Sequence, residues 1–85
     1  MRLDILGRQV TVSRAAAARL RDLAAARAGA SSSQRDLSLV LDRAARTGAT
    51  VPLQRGEARA LLELVDAEPA DVELAAVADV VRAVL

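Results

Sequence analysis

The spacing of helix start and stop signals is the feature that most limits how this chain can fold. Ser13 and the serine run that begins at Ser31 are suited to cap helices, because a hydroxyl can accept a hydrogen bond from an unpaired amide of the first turn. Gly29 and Gly48 stand where the segments behind these caps would end, and glycine is favoured just past a helix C-terminus. The signals therefore predict one helix between each cap and the glycine that follows it.

The residues before Ser13 alternate between apolar and polar side chains, as in a β-hairpin with one buried face. We place the turn at Gly7-Arg8, because glycine at the first turn position supplies the positive φ of a type II′ turn. Since side chains alternate across a strand, one face of the hairpin is then apolar. The residues on that face are Leu3, Ile5, Val10 and Val12.

The second half of the chain repeats the order of one strand and two helices. A short strand over residues 49–53 contains Pro52, which cannot donate a hydrogen bond to a neighbouring strand and so confines the segment to a sheet edge. Two helices follow, and the last is predicted to begin near Pro69, since proline is favoured at the first helical position. Val10–Arg14 aligns with Val51–Arg55, and two interpretations remain open: a strand–helix–helix internal duplication, or a likeness that comes only from the Ala, Leu and Arg bias of the helices.

Apolar residues recur at helical spacing in the last three predicted helices and supply the core. They are Leu37, Val40, Leu41 and Ala44, then Ala58, Leu61, Leu64 and Val65, and finally Leu74, Val77, Val81 and Val84. The prediction is one compact domain over residues 1–85 of the α+β class, mostly helical. It consists of a hairpin with a first αα-hairpin (1–48) and an edge strand with a second αα-hairpin (49–85).

The composition excludes several kinds of chemistry. The chain has no Cys and no His, so thiolate metal sites, disulfides and Ser–His or Cys–His nucleophiles cannot be built. The acids that surround the start of the last helix complement the helix dipole but lack the spacing and the glycine of a calcium loop; they are Asp66, Glu68, Asp71 and Glu73. We expect a protein that is not an enzyme and that has no cofactor and no metal.

The absence of Lys and Asn beside abundant Ala and Arg is typical of a bacterial genome rich in G and C. The N-terminus has no continuous apolar stretch of the kind found in signal peptides, and no apolar run is long enough to span a membrane. We therefore expect a cytoplasmic protein with no membrane partner.

Charge is divided unequally between the two halves. Residues 1–49 contain nine Arg and four Asp, whereas residues 50–85 contain three Arg and seven acids, so net charges of +5 and −4 add to +1. Three interpretations remain open: the basic half binds nucleic acid, the halves attract each other within or between chains, or the charges are solvated surface.

The preferred hypothesis is a protein-interaction or assembly module that binds itself, as a homodimer, or another protein. Leu39 is predicted to lie on the polar side of its helix, and the other apolar positions exceed what a chain this small is expected to bury. The candidate partner-binding residues are Leu39, Arg43, Arg46, Leu62, Val80 and Leu85. An antitoxin-like partner of another protein is a further variant of this hypothesis.

The alternative is a DNA-binding regulator. Residues 20–43 resemble a helix-turn-helix at the turn, where Ala25 and Gly29 keep the A-x-x-x-G pattern. If the second helix read DNA, its base and phosphate contacts would come from Arg27, Gln34, Arg35, Ser38, Arg43 and Arg46. We favour a plain αα-hairpin, because Arg35 and Ser38 occupy positions where the motif requires apolar residues.

Overall fold

The computed structural model describes residues 1–85 apart from the side chain of Val51. Three strands and four helices follow one another along the chain. In order they are β1 (Arg2–Ile5), β2 (Arg8–Thr11), α1 (Arg14–Arg27), α2 (Ser32–Thr47), β3 (Val51–Leu53), α3 (Arg55–Asp66) and α4 (Val72–Val84). The predicted fold class, α+β and mostly helical with an N-terminal hairpin, is confirmed.

The three strands form one sheet in the order β2-β1-β3. β1 pairs antiparallel with β2 and parallel with β3, so β3 is an edge strand, as Pro52 predicts. The two halves of the chain therefore share a sheet. Both contain a strand followed by two helices, and Ser13 and Gln54 take equivalent positions as the N-caps of α1 and α3. A duplication in evolution stays a prediction.

The hairpin turn lies one residue earlier than the sequence analysis predicts. Ile5 pairs with Arg8, so the turn residues are Leu6 and Gly7, and both have positive φ (52° and 94°), as in a type I′ turn. The Asp4 carboxylate stabilises the turn by accepting a 2.8 Å hydrogen bond from the Gly7 amide. Each residue of β1 changes its partner by two positions, which preserves side-chain parity and keeps the apolar face intact.

Replacing Leu6 by asparagine should stabilise the protein by about 0.5–1 kcal/mol. A leucine with positive φ is strained, whereas asparagine tolerates this conformation and favours the first position of a type I′ turn. The measurement is the free energy of unfolding in urea. Leu6→Ala is the control, because it removes the same apolar side chain but keeps the backbone strain. If Leu6→Asn is no more stable than Leu6→Ala, the account of the turn is wrong.

The predicted caps of α2 are present. Ser31 accepts a hydrogen bond from the Gln34 amide at 3.2 Å, and Gly48 ends the helix in the left-handed conformation with φ of 69°. Ser13 caps α1 in the same way. The end of α1 differs, since its C-cap is Ala28 in a right-handed conformation, and Gly29 has no positive φ.

The predicted start of the last helix near Pro69 is wrong. α4 begins at Val72, because the Asp71 carboxylate accepts a 3.2 Å hydrogen bond from the Leu74 amide and so makes Asp71 the N-cap. Pro69 lies in the turn that precedes it. This shift sets Val72 at the first position of the helix.

One hydrophobic core unites both halves of the chain, with residues from β1, β3 and all four helices. Most of the predicted core positions are buried, although Val10, Val40 and Val84 lie at its margin. Among the described side chains, only four large apolar ones are exposed, namely Leu6, Leu39, Val72 and Leu85. The chain therefore buries more of its apolar residues than the sequence analysis expected for 85 residues.

Candidate protein-interaction surface

The outer side of α2 carries an exposed leucine, Leu39, whose helical neighbours are Arg35, Asp36, Asp42 and Arg43. Leu39 is 62% exposed, in contrast to Leu37 and Leu41 on the inner side, which are fully buried. Arg35 and Arg43 stand four residues before and after Leu39, so all three lie on the same side of the helix. We call Arg35, Leu39, Arg43 and Arg46 the basic surface.

An ion-pair network holds one edge of the basic surface in place. The Asp42 carboxylate forms ion pairs with Arg21 of α1 at 2.7 Å and with Arg46 at 2.8 Å. The hydrogen bond from Arg21, assisted by the charge of Arg46, lowers the pKa of Asp42 against a smaller opposing effect of desolvation. In the part of the chain that the structure describes, Arg35 and Arg43 form no ion pair. Their guanidinium groups are open to a ligand.

A groove of about 300 Å³ between α1 and α2 adjoins the basic surface. Ala18 and Ala25 of α1 line it with small side chains, and Leu39 and Ser38 line it from α2. Asp22 is the acid beside it that has no ion pair among the described residues. Arg21 and Asp42 complete the lining, so the groove presents apolar and charged groups in about equal measure.

The opposite charge is concentrated on the other helix pair. Residues 60–81 contain six acids and no Lys or Arg. Val72, at the start of α4, is 83% exposed, and Ala76 and Asp79 continue the same exposed side at helical spacing. Glu68 lies in the turn just before the helix. We call Glu68, Val72, Ala76 and Asp79 the acidic surface.

Two carboxylates near Val72 connect α4 to α1 by hydrogen bonds and an ion pair. Glu73 accepts hydrogen bonds from the Ser13 amide (3.0 Å) and the Ser13 hydroxyl (2.6 Å), and Asp71 pairs with Arg19 at 2.5 Å. The hydrogen bonds from Ser13 lower the pKa of Glu73, and the hydrogen bond from Arg19 is the largest cause of the lowered pKa of Asp71. These acids stabilise the fold.

The contacts of Glu73 with Ser13 and of Asp71 with Arg19 should make the stability of the fold depend on pH below about 5. A carboxyl whose pKa is lower in the folded state stabilises the protein above its unfolded pKa, and the contribution is lost as the pH falls through the folded value. The unfolded values are 3.8 for Asp71 and 4.5 for Glu73, so the loss should begin below about pH 5 and continue into the more acidic range. Glu73→Gln should lower the melting temperature at pH 7. It should also make the melting temperature fall less steeply as the pH is lowered below about 5.

The measurement is the melting temperature as a function of pH for the wild type and Glu73→Gln. The matched control is Glu68→Gln, because the Glu68 carboxylate accepts no hydrogen bond in the described part of the chain. Parallel curves for the wild type and Glu73→Gln would contradict the assignment of the Ser13–Glu73 contact as a stabilising one.

The structure separates the predicted partner-binding residues into two groups. Leu39, Arg43 and Arg46 lie together on the exposed side of α2. Leu62 and Val80 pack partly against the core, and Leu85, at 39% exposed, lies at the C-terminal end of α4. These three lie on α3, on α4 and at the end of α4, and not on α2.

The predicted nucleic-acid contacts are also divided. The Gln34 side chain is 2% exposed and donates hydrogen bonds to the Ala60 carbonyl (3.3 Å) and the Glu63 carboxylate (3.0 Å) of α3. It joins α2 to α3 and is not available at the surface. Ser38 is partly buried beside α1, whereas the four arginines of the set are exposed, namely Arg27, Arg35, Arg43 and Arg46.

Val72 is the exposed residue that the sequence analysis missed. Helical spacing identifies it, because Val72 lies on the side of α4 opposite Leu74, Val77 and Val81, whichever residue begins the helix.

No family model, curated protein or solved structure matches this chain. Within the described residues, no helix is long and apolar enough to cross a bilayer. The same residues provide no group of three or more acids placed to hold a metal ion.

Proposed function

We propose that this chain is a non-catalytic bacterial protein-interaction or assembly module that binds itself or another protein in the cytoplasm. The observation that carries the proposal is Leu39, 62% exposed between Arg35 and Arg43 on a helix whose opposite side is firmly packed. The backbone of α2 is fixed by its caps and core contacts. Binding a partner therefore costs little conformational entropy for ordering the helix.

Leucine and arginine contribute to binding in different ways. Covering an exposed leucine side chain contributes about 1.5–3 kcal/mol, and arginine is enriched among the residues that dominate interface energies. The net positive charge of the α1–α2 pair, seven Arg against three Asp over residues 14–47, in addition guides the approach of an acidic partner. These properties favour a protein partner with an apolar side chain surrounded by acids.

The non-catalytic part of the proposal is supported by the roles of the polar groups. Ser13 and Ser31 cap helices, and Asp71 and Glu73 are engaged in the contact between α1 and α4. With no His or Cys in the chain, a hydroxyl nucleophile would need a carboxylate as its base.

Sedimentation velocity over a wide range of protein concentration tests self-association. The expected result is a weight-average sedimentation coefficient that rises with concentration at low salt. A coefficient that stays at the monomer value up to the highest concentration removes the self-binding form of the proposal.

DNA binding is the second candidate, and the exposed arginines of α2 are the observation in its favour. Its test is fluorescence anisotropy with random duplex DNA at low salt, because phosphate contacts dominate non-specific binding and weaken with salt. Binding that Arg35→Ala and Arg43→Ala each reduce would support it. No binding, or binding that these changes leave intact, would remove it.

A further inference from the structure

The two most exposed large apolar side chains of the described structure lie in regions of opposite charge. Leu39 belongs to the α1–α2 pair, where residues 14–47 contain seven Arg and three Asp. Val72 belongs to residues 60–81, which contain six acids and no cation. The two regions therefore have net charges of +4 and −6 and attract each other, although the direct helical neighbours of Leu39 include Asp36 and Asp42 as well as Arg35 and Arg43.

Ion pairs among the described residues engage three of the six acids in residues 60–81 and three of the seven Arg in residues 14–47. Of the five ion pairs among the described residues, only Arg19–Asp71 joins the basic half to the acidic half. Within those residues, Arg35, Arg43 and Glu68 form no ion pair, and Asp79 is 81% exposed beside Arg82. The basic and acidic surfaces remain available for contact between molecules.

A symmetric contact of either surface with itself is disfavoured. Packing α2 against α2 of another copy would bring the arginines around Leu39 together, and packing α4 against α4 would oppose Glu68 and Asp79 to their own counterparts. Like charges brought together at an interface oppose association. Contact between unlike surfaces has no such cost.

We propose that the basic surface of one copy binds the acidic surface of a second copy, in a head-to-tail arrangement. In this contact Val72 packs beside Leu39 in the groove between α1 and α2, and Glu68 and Asp79 approach the arginines of α2. The inference rests on the proposed function in its self-binding form, and it specifies which surfaces meet.

A head-to-tail contact leaves one free surface at each end. Such an interface produces open chains or, where the rotation closes, rings, whereas a two-fold contact stops at a dimer. A standard interface would cover roughly 800 Å² of each partner, about one sixth of this chain's 4871 Å² surface. The two helical faces provide less, so we expect a dissociation constant of about 10–100 µM that rises with salt.

Two variants, each lacking one surface, test the arrangement. Every substitution replaces an exposed residue by a neutral polar one, so that each defective surface keeps only one of its four defining residues, Arg46 or Ala76. The basic-surface variant carries Arg35→Gln, Leu39→Ser and Arg43→Gln. The acidic-surface variant carries Glu68→Gln, Val72→Ser and Asp79→Asn. A control with the same substitution types on the hairpin carries Arg2→Gln, Leu6→Ser and Arg8→Gln.

Sedimentation velocity should find each single-surface variant monomeric at concentrations where the wild type and the hairpin control form a series of oligomers. An equimolar mixture of the two variants should form a 1:1 dimer that grows no further, because only one intact pair of surfaces remains. Wild-type association should weaken at least tenfold between low and high salt. Circular dichroism confirms that each variant is folded.

Distinct results overturn the two proposals. A wild-type chain that is monomeric at all concentrations removes both self-binding and the head-to-tail contact. Three results remove the head-to-tail contact alone. Either variant still associates as the wild type does, wild-type association is unaffected by salt, or the mixture of the two variants fails to associate.

Discussion

Truncating Leu61 to alanine is expected to lower the free energy of unfolding by about 2–5 kcal/mol. Leu61 is fully buried, and its helix, α3, contacts the other three helices and β3. A cavity at this position is enclosed by several elements, so the surroundings can relax only partly to fill it. In a domain of this size, a loss of that magnitude approaches the whole stability.

Urea unfolding followed by circular dichroism measures this loss. Leu39→Ala is the matched control, since it removes the same atoms from a side chain that is 62% exposed and should change stability by less than about 0.5 kcal/mol. Equal losses for the two variants would contradict the assignment of inner and outer sides of the helices.

Replacing Leu39 by serine should weaken self-association at least tenfold while leaving the fold intact. The leucine supplies apolar area at the centre of the basic surface, and a tenfold change corresponds to about 1.4 kcal/mol, less than the contribution of one fully covered leucine. Sedimentation equilibrium gives the dissociation constant, and the melting temperature checks that the monomer is unchanged.

Leu85→Ser provides the comparison for this experiment. Leu85 is also exposed and apolar but lies at the C-terminal end of α4, away from Leu39 and from Val72 at the opposite end of that helix. Its replacement should leave the dissociation constant unchanged. If Leu85→Ser weakens association more than Leu39→Ser does, the interface is not where we place it.

Local sequence signals predicted most of the fold. The caps at Ser13 and Ser31, the end of α2 at Gly48 and the edge position of β3 follow from the chemistry of single residues. The hairpin was predicted with the wrong turn, because glycine is favoured in both type I′ and type II′ turns. A type II′ turn places the glycine at the first turn position, whereas in the observed turn Gly7 is at the second. Strand parity preserved the buried face despite this error.

The charged surfaces were only partly predictable. The side of α2 that carries Leu39 follows from helical periodicity, and its exposure was expected. Val72 was not identified, although helical spacing places it opposite Leu74, Val77 and Val81 wherever the helix begins. The burial of Gln34 against α3 depends on how two helices pack, and a polar residue near a helix N-terminus gives no local indication of such a contact.

The central claim is that two different surfaces of this chain meet when copies associate. Backbone amide chemical shifts, followed by NMR as the protein is concentrated at low salt, test it most directly. We predict changes at two separate places with the same concentration dependence, around Leu39 on α2 and around Val72 on α4. Changes confined to one of these places, or located on the hairpin instead, would contradict the head-to-tail account.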